Sequence, residues 1–300
     1  MTRRGILLFA ALGLIWGIPY LFIKIAVVEL MPQMLVLARA GLAALILLPL
    51  AAQRGAIMPV LRHWKVLLAF AFAEMVLPWY FLNSAEVSLP SSTTGLLLAT
   101  VPLVAIGIAV FFGRRDRVTA VNWVGIVIGM LGVAAIVGLD LGGSDPLGVA
   151  KLLVVVMGYA VGPAILARWM SDLPPVGVIA LALAITALVA LPVVALTDGW
   201  PSAVPSPPVI VSVLVLAVLC SAVAFLLMFA LVAEIGPIRM TAITYVNPAV
   251  AVLAGALVLG EAVTVWTIVG FGLILVGCAL VTRPDRRVPG IATATPGTAV

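Results

Sequence analysis

This 300-residue chain has little charge, one histidine and two cysteines. Asp, Glu, Lys and Arg make up 9% of it, where a soluble domain carries about 25%. So few charges leave no polar coat to face water. His63 stands between two apolar segments, while Cys220 and Cys278 lie inside such segments. This excludes a disulfide framework and a His/Cys metal cluster, and leaves no histidine for acid–base chemistry at depth. No phosphate-cradling Walker loop is present, so ATP-driven pumping by this chain alone has no support. No catalytic residue, cofactor or metal is assigned. An intramembrane transferase would need a nucleophile or acid–base cluster that the chain lacks, so it is read as not an enzyme.

Apolar sequence is what the chain has in quantity: 65% of residues are hydrophobic and the mean hydropathy is +1.34. A helix needs roughly 20 mostly apolar residues to cross the hydrocarbon. Ten segments qualify: 6–28, 32–52, 64–83, 90–112, 119–139, 147–168, 175–197, 208–231, 238–259 and 262–281. Barrel strands would alternate apolar and polar residues over about 10 positions. The runs here are continuous and longer, so the fold class is all-α integral membrane. The first segment is long and has no small-x-small cleavage site, which reads as a span rather than a signal peptide. Residues 283–300, rich in Pro, Gly, Ala and Thr, read as a disordered cytoplasmic tail.

The charges sort by side. Arg3, Arg4, Arg54, Arg62, Lys65, Arg114, Arg115, Arg117, Arg168, Arg239, Arg283, Arg286 and Arg287 fall at one set of ends. Glu29, Glu86, Asp140, Asp145, Asp198 and Glu261 fall at the other. Basic residues collect in cytoplasmic loops, so both termini are expected inside the cell. The net charge of +5 is then a topology signal. Its residues are spread over short loops and form no nucleic-acid-binding face.

The two halves echo each other at an offset of about 145 residues. Pro102 and Pro248, Asp116 and Glu261, Gly125 and Gly270, and Gly132 and Gly277 are matched pairs, as are Pro19 and Pro163, and Lys24 and Arg168. Residues 1–140 and 147–282 therefore read as two five-helix repeats. Five is odd, so the second repeat starts on the opposite side and the two are inverted. That architecture is common among secondary transporters.

The run Trp16-Gly17-Ile18-Pro19-Tyr20 through Lys24 resembles the first-helix pattern of EamA-type members of the drug/metabolite transporter (DMT) superfamily. The stretches Pro102 to Asp116 to Gly125, and Pro248-Ala249 through Leu259-Gly260-Glu261 to Gly270, resemble the family's repeat signature, and Arg39 fits its second helix. The likeness spans residues 6–282. Asp116 follows Arg114-Arg115 where the first repeat of the family reads Leu-Gly-Glu, with the acid retained. The resemblance implies a ten-helix exporter of small metabolites such as amino acids, their derivatives or drug-like compounds.

Polar groups inside the apolar segments carry the candidate chemistry. Glu74 stands near the middle of the third segment and costs about 3 kcal/mol on insertion scales. Nine Leu, Val and Phe residues offset that at roughly 0.5 kcal/mol each. It is either a proton-coupling carboxylate or an ion-pair partner between helices. Arg39 is expected to pair with Glu74 or to bind an anionic substrate group. Trp16 and Tyr20 wall a cavity or pack. Thr100, Tyr245 and Asn247 lie near the matched prolines, where freed carbonyls line a path or static kinks form. Lys24 and Lys151 snorkel or anchor. Gly125, Gly129, Gly270 and Gly277 serve helix packing.

These residues give one reading: a multi-pass secondary transporter in the cell (inner or plasma) membrane, working by alternating access. Its partners are a small-molecule substrate, the lipid bilayer and protons as a candidate coupling ion. A lipid flippase or scaffold subunit on the same fold is the alternative.

Overall fold

The computed structural model describes residues 2–111, 120–136, 145–235, 240 and 243–281. Among these residues the chain is helical, with no strands. In chain order the apolar helices are α1 (Arg3–Ala26), α2 (Pro32–Gln53), α3 (Trp64–Glu86), α4 (Ser91–Ile108), α5 (Ala120–Ala134), α6 (Pro146–Trp169), α7 (Pro175–Leu196), α8 (Pro207–Ile235), α9 (Tyr245–Leu259) and α10 (Val265–Leu280). Seven are long and apolar enough to cross a membrane; α5, α9 and α10 are shorter. Asp116, Asp140, Arg114, Arg115, Arg117, Arg239 and the tail lie outside the described residues.

The third helix runs past its expected end. Leu82, Ala85 and Leu89 continue its apolar stripe into one buried cluster with Ile23, Leu35 and Leu152. The helix therefore persists to Glu86 and takes that residue out of the loop where the charge pattern placed it. Glu86 is completely inaccessible.

Four helices are irregular, and three of the irregularities trace to proline. α1 is interrupted between Gly17 and Pro19. α4 is interrupted at Ala99 and Thr100, just before Pro102. Pro102 has no N–H to offer the Leu98 carbonyl. The chain tightens instead, with Ala99 N donating to Leu96 O and Thr100 N to Leu97 O, both at 3.1 Å. α3 widens to a π-turn over Phe72–Val76. Pro78 lies four residues after Glu74 and cannot bond its carbonyl, so the turn slackens at the acid. α8 widens over Val215–Val223, where the Ser221 hydroxyl donates to Leu216 O at 2.8 Å. The matched prolines differ: Pro102 follows a break, whereas Pro248 sits inside a continuous helix.

The widest helix–helix interfaces are α2 with α7 and α5 with α10. α1 packs on α8 and α9, α6 on α3 and α4, and α2 on the wide part of α8. The α5–α10 contact is glycine on glycine. A Cβ at Gly132 would lie 2.7 Å from Gly270 O, and one at Gly277 would lie 2.6 Å from Gly125 O and 2.7 Å from Gly129 N. These are backbone atoms with nowhere to move, so the two helices touch only because the side chains are missing. The packing role expected of these glycines is the one found.

Gly132→Ala and Gly277→Ala should each destabilise the purified protein by about 1–3 kcal/mol through overpacking. Gly272→Ala on the same helix meets nothing within 4 Å and should be neutral or stabilising by up to about 1 kcal/mol. Thermal unfolding in detergent checks this. Equal melting temperatures for all three variants would show that the interface tolerates a methyl group.

Candidate functional site

The polar groups at depth gather around Arg39. Its guanidinium stands 3.8 Å from the centroid of the Trp79 ring on α3, and its Nε donates to Ser221 Oγ on α8 at 3.0 Å. Cys220, Tyr159, Tyr20 and Glu86 are its other electrostatic neighbours. A desolvated guanidinium over an indole gains about 2 kcal/mol or more from the ring quadrupole. α1, α2, α3, α6 and α8 each contribute one or more of these groups.

Glu74 enters the same cluster from the π-turn of α3. Its carboxylate packs directly on Gly162 of α6, where any side chain would collide with it. One turn away, a Cβ at Gly158 would collide with the backbone at Ala73. The Gly158-x3-Gly162 stripe thus admits the swollen part of α3. Glu74 Oε2 is buried with no hydrogen-bond partner. Tyr159 is the electrostatic neighbour it shares with Arg39, and the Trp79 indole is within hydrogen-bonding reach of the Tyr159 hydroxyl. Among the described residues the one side-chain ion pair is Arg4–Glu234, at 3.7 Å. Arg39 and Glu74 therefore do not pair directly, and Tyr159 is the neighbour common to both.

A second polar cluster closes the end of the bundle where α3 finishes and α4 begins. Lys24 Nζ donates to the carbonyls of Glu86 at 2.8 Å and Leu89 at 2.9 Å. It caps the C-terminus of α3, where a cation complements the helix dipole, with the Glu86 carboxylate as an electrostatic neighbour. Glu261, in the α9–α10 connection, accepts from Ser91 N at 2.7 Å and Ser92 N at 2.9 Å. Burial pushes this carboxyl up, but hydrogen bonds from Ser92 and Ser91 outweigh it and hold Glu261 below the usual carboxylate range. Glu86 lies in between with both carboxylate oxygens buried and unpartnered. Nearby, Lys151 Nζ donates to Ser84 O at 3.2 Å. Asp145 accepts from Ser88 and from Gly148 N, which hold it below the ordinary aspartate range.

The structure brings together Tyr20, Arg39 and Glu74 from the residues expected on sequence grounds. Trp16 meets Phe225 edge-on at 6.0 Å in the α1–α8 contact. Thr100 donates to Leu97 O of its own helix at 2.6 Å. Asn247, with its amide turned to bond, donates to Gly13 O at 3.1 Å and Ile243 O at 3.2 Å, tying α9 to α1. Tyr245 packs against the buried α4–α10 cluster. Sequence reasoning missed Trp79, Tyr159, Cys220, Ser221 and the burial of Glu86. Two signals were available: Pro78 four residues after Glu74, and a tyrosine inside the Gly158-x3-Gly162 stripe.

Comparison with known proteins agrees with this architecture. The inner membrane transporter YedA of Escherichia coli (strain K12), itself uncharacterized, is 31% identical over 278 residues, covering 91% of this chain and 88% of YedA. The uncharacterized transporter YvbV of Bacillus subtilis (strain 168) is 24% identical over 285 residues, covering 94% of this chain and 93% of YvbV. A crystal structure described only as that of a protein matches with a TM-score of 0.66 at 20% identity, covering 96% of this chain and all of that one, a likeness of fold. The model of the EamA-like transporter family matches twice, over residues 3–138 and 146–283. The chain is a multi-pass membrane protein and belongs to the EamA-like transporter family.

Proposed function

We propose that this chain is a secondary transporter that exports small polar or amphipathic metabolites across the inner or plasma membrane by alternating access. Amino acids, their derivatives and drug-like compounds are its substrate class. Its ten helices form two inverted five-helix repeats, residues 1–140 and 147–282. The family model matches each repeat once. The packing is reciprocal: α1 meets α9 as α6 meets α4, α8 meets α1 as α3 meets α6, and α2 meets α7 across the halves. The π-turns of α3 and α8 lie in matched helices at nearly the same offset as the matched prolines.

The observation that carries the reading is the Arg39–Tyr159–Glu74 constellation. In this reading Arg39 is the anion-binding group and Glu74 the coupling carboxylate; the supporting facts are the unpartnered Glu74 oxygen and the convergence there of helices from both halves of the chain. A zwitterion presents a carboxylate and an ammonium, the two charges such a pair of groups accepts. Glu74 is the coupling group: reached from one side it takes a proton, and reached from the other it gives the proton up. Export is the direction implied by the family resemblance, and both termini lie inside on the positive-inside pattern.

Glu74→Gln keeps the shape and hydrogen-bonding capacity of the side chain but cannot titrate. The variant should reach the membrane and lose pH-gradient-driven release of metabolites, measured as the difference in medium composition between cells with and without the protein. It should keep gradient-independent exchange. Release at the wild-type rate with unchanged pH dependence would remove Glu74 from the coupling role.

Orientation is tested separately. In a background lacking Cys220 and Cys278, single cysteines at Ser144 and Ser202 should react with an impermeant thiol reagent outside intact cells, and cysteines at Arg54 and Arg115 should not. The reverse pattern would invert the topology.

A further inference from the structure

The proline breaks and wide turns mark where helices of the bundle can bend, but not what holds one side closed. The end where α3 finishes and α4 begins is the outer side on the topology proposed above. Two charges from elsewhere in the chain meet the backbone there. Lys24, from α1, sits on the carbonyl of Glu86, the last residue of α3, and on that of Leu89 in the connection to α4. Glu261, from the second half of the chain, sits on the first amides of α4. Each charge has the sign its helix end attracts: a cation at a C-terminus and an anion at an N-terminus. The α3–α4 corner is thus clamped from both flanks. Close packing follows immediately below. A Cβ at Gly95 on α4 would lie 3.3 Å from the Tyr20 ring, and all ten residues from Ser91 to Thr100 are buried. Below the break, Val101, Pro102, Val104, Ala105 and Ile106 of the same helix are only half-buried.

The opposite side lacks the first of these contacts. Arg168 is the sequence counterpart of Lys24, at the end of α6. It is exposed and stacks over its neighbour Trp169 at 5.8 Å. Among the described residues its guanidinium makes no hydrogen bond to the end of α8, the element that corresponds to α3. Asp116, the counterpart of Glu261, lies outside the described residues. On the inverted-repeat reading, a contact made at Lys24 and unmade at its counterpart Arg168 has the asymmetry of a single state in an alternating cycle.

We propose that Lys24 and Glu261 are the outer gate of this transporter, and that Arg168 makes the equivalent of the Lys24 contact on the inner side when the outer gate opens. The proposal rests on the alternating-access reading and adds the residues that set its equilibrium. Lys24 and Glu261 are positioning residues. They act on the ends of α3 and α4 and need touch no substrate. Breaking either contact leaves helix-end carbonyls or amides without partners and favours the state in which the corner separates.

The chain's own cysteines report on this gate. Cys220 is buried beside Ser221, within electrostatic reach of Arg39. Cys278 is buried in the α4–α10 core, with its thiol on Ala99 O at 3.1 Å. In intact cells an impermeant maleimide applied from outside should label Cys220 about tenfold faster in Lys24→Met and in Glu261→Gln than in the wild type, a shift of about 1.4 kcal/mol in the gate equilibrium. Cys278 should stay protected in both. Lys24→Arg, which can still reach the two carbonyls, should restore protection of Cys220. Arg168→Met should slow its labelling below the wild-type rate, because the outer-open state loses its inner contact. Wild-type labelling of Cys220 in both gate variants would overturn the proposal. So would labelling of Cys278 in step with Cys220, because the variants would then merely loosen the fold. The assay uses no transported substrate. A chain that moves no metabolite yet shows these shifts would overturn the transport reading alone, and a transporter indifferent to them would overturn the gate alone.

Discussion

Hydrocarbon accepts no hydrogen bonds, so a guanidinium at the depth of Arg39 must find every partner inside the bundle. It takes a hydroxyl from α8 and the face of an indole from α3. Neither partner carries a full negative charge, which leaves the cation electrostatically unspent. A direct pair with Glu74 would have neutralised both groups and made a static strut. The observed arrangement keeps them apart, with Trp79 and Tyr159 in contact with the same cluster. The placement of three helices, α2, α3 and α8, follows from satisfying this one side chain. That requirement also explains why Ser221, a residue without local interest in the sequence, is completely buried.

The regular and irregular helices divide the labour. α5 and α10 touch through backbone, and α2 and α7 share the most extensive interface. These contacts are stiff because close-packed surfaces have few alternative arrangements. The helices with breaks or wide turns, α1, α3, α4 and α8, lie around the two polar clusters. Irregular backbone is tolerated in a membrane where it is buried in protein or lines a polar path. Here its position coincides with the groups that could use such a path. The wide turn at Glu74 shows the link from sequence to chemistry. Pro78 removes one helical bond, the turn slackens, and the acid is carried onto a glycine that makes room for it.

The all-helical membrane class and the family were legible in the chain because each rests on a long-range average. Charge scarcity, run length and the sorting of Lys and Arg do not depend on which side chain touches which. The glycine role in α5 and α10 was legible for a similar reason, since a stripe of small residues has few other uses in lipid. The buried polar groups were legible only where a residue was costly enough to require explanation, as with Glu74 and Arg39. Tyr159, Trp79 and Cys220 are apolar enough to pass as packing, and only the meeting of five helices gives them a shared environment. Thr100 and Asn247 drew notice by their polarity, and in the structure Thr100 bonds within its own broken helix and Asn247 bonds a neighbour's carbonyl. Glu86 was misplaced because a charged residue at the edge of an apolar run looks like a loop, whereas Leu89, three residues further on, still belongs to the buried cluster.

On the inverted-repeat reading, the most informative features are the places where matched sequence adopts unmatched structure. Pro102 follows a broken turn while Pro248 sits in a continuous helix. Lys24 is bonded while Arg168 is exposed. Equivalent residues in a rigid symmetric scaffold would take equivalent conformations. On the alternating-access reading each half can adopt either form, and the bundle as a whole selects one. A difference of a few kcal/mol between such states leaves the minor one measurably populated. A substrate or a proton then needs only modest differential affinity to tip the balance. On that reading the physical task of this fold is to make two closures nearly equal in energy and mutually exclusive, and the charges of Lys24 and Glu261 at helix ends are the contacts proposed to hold one of them.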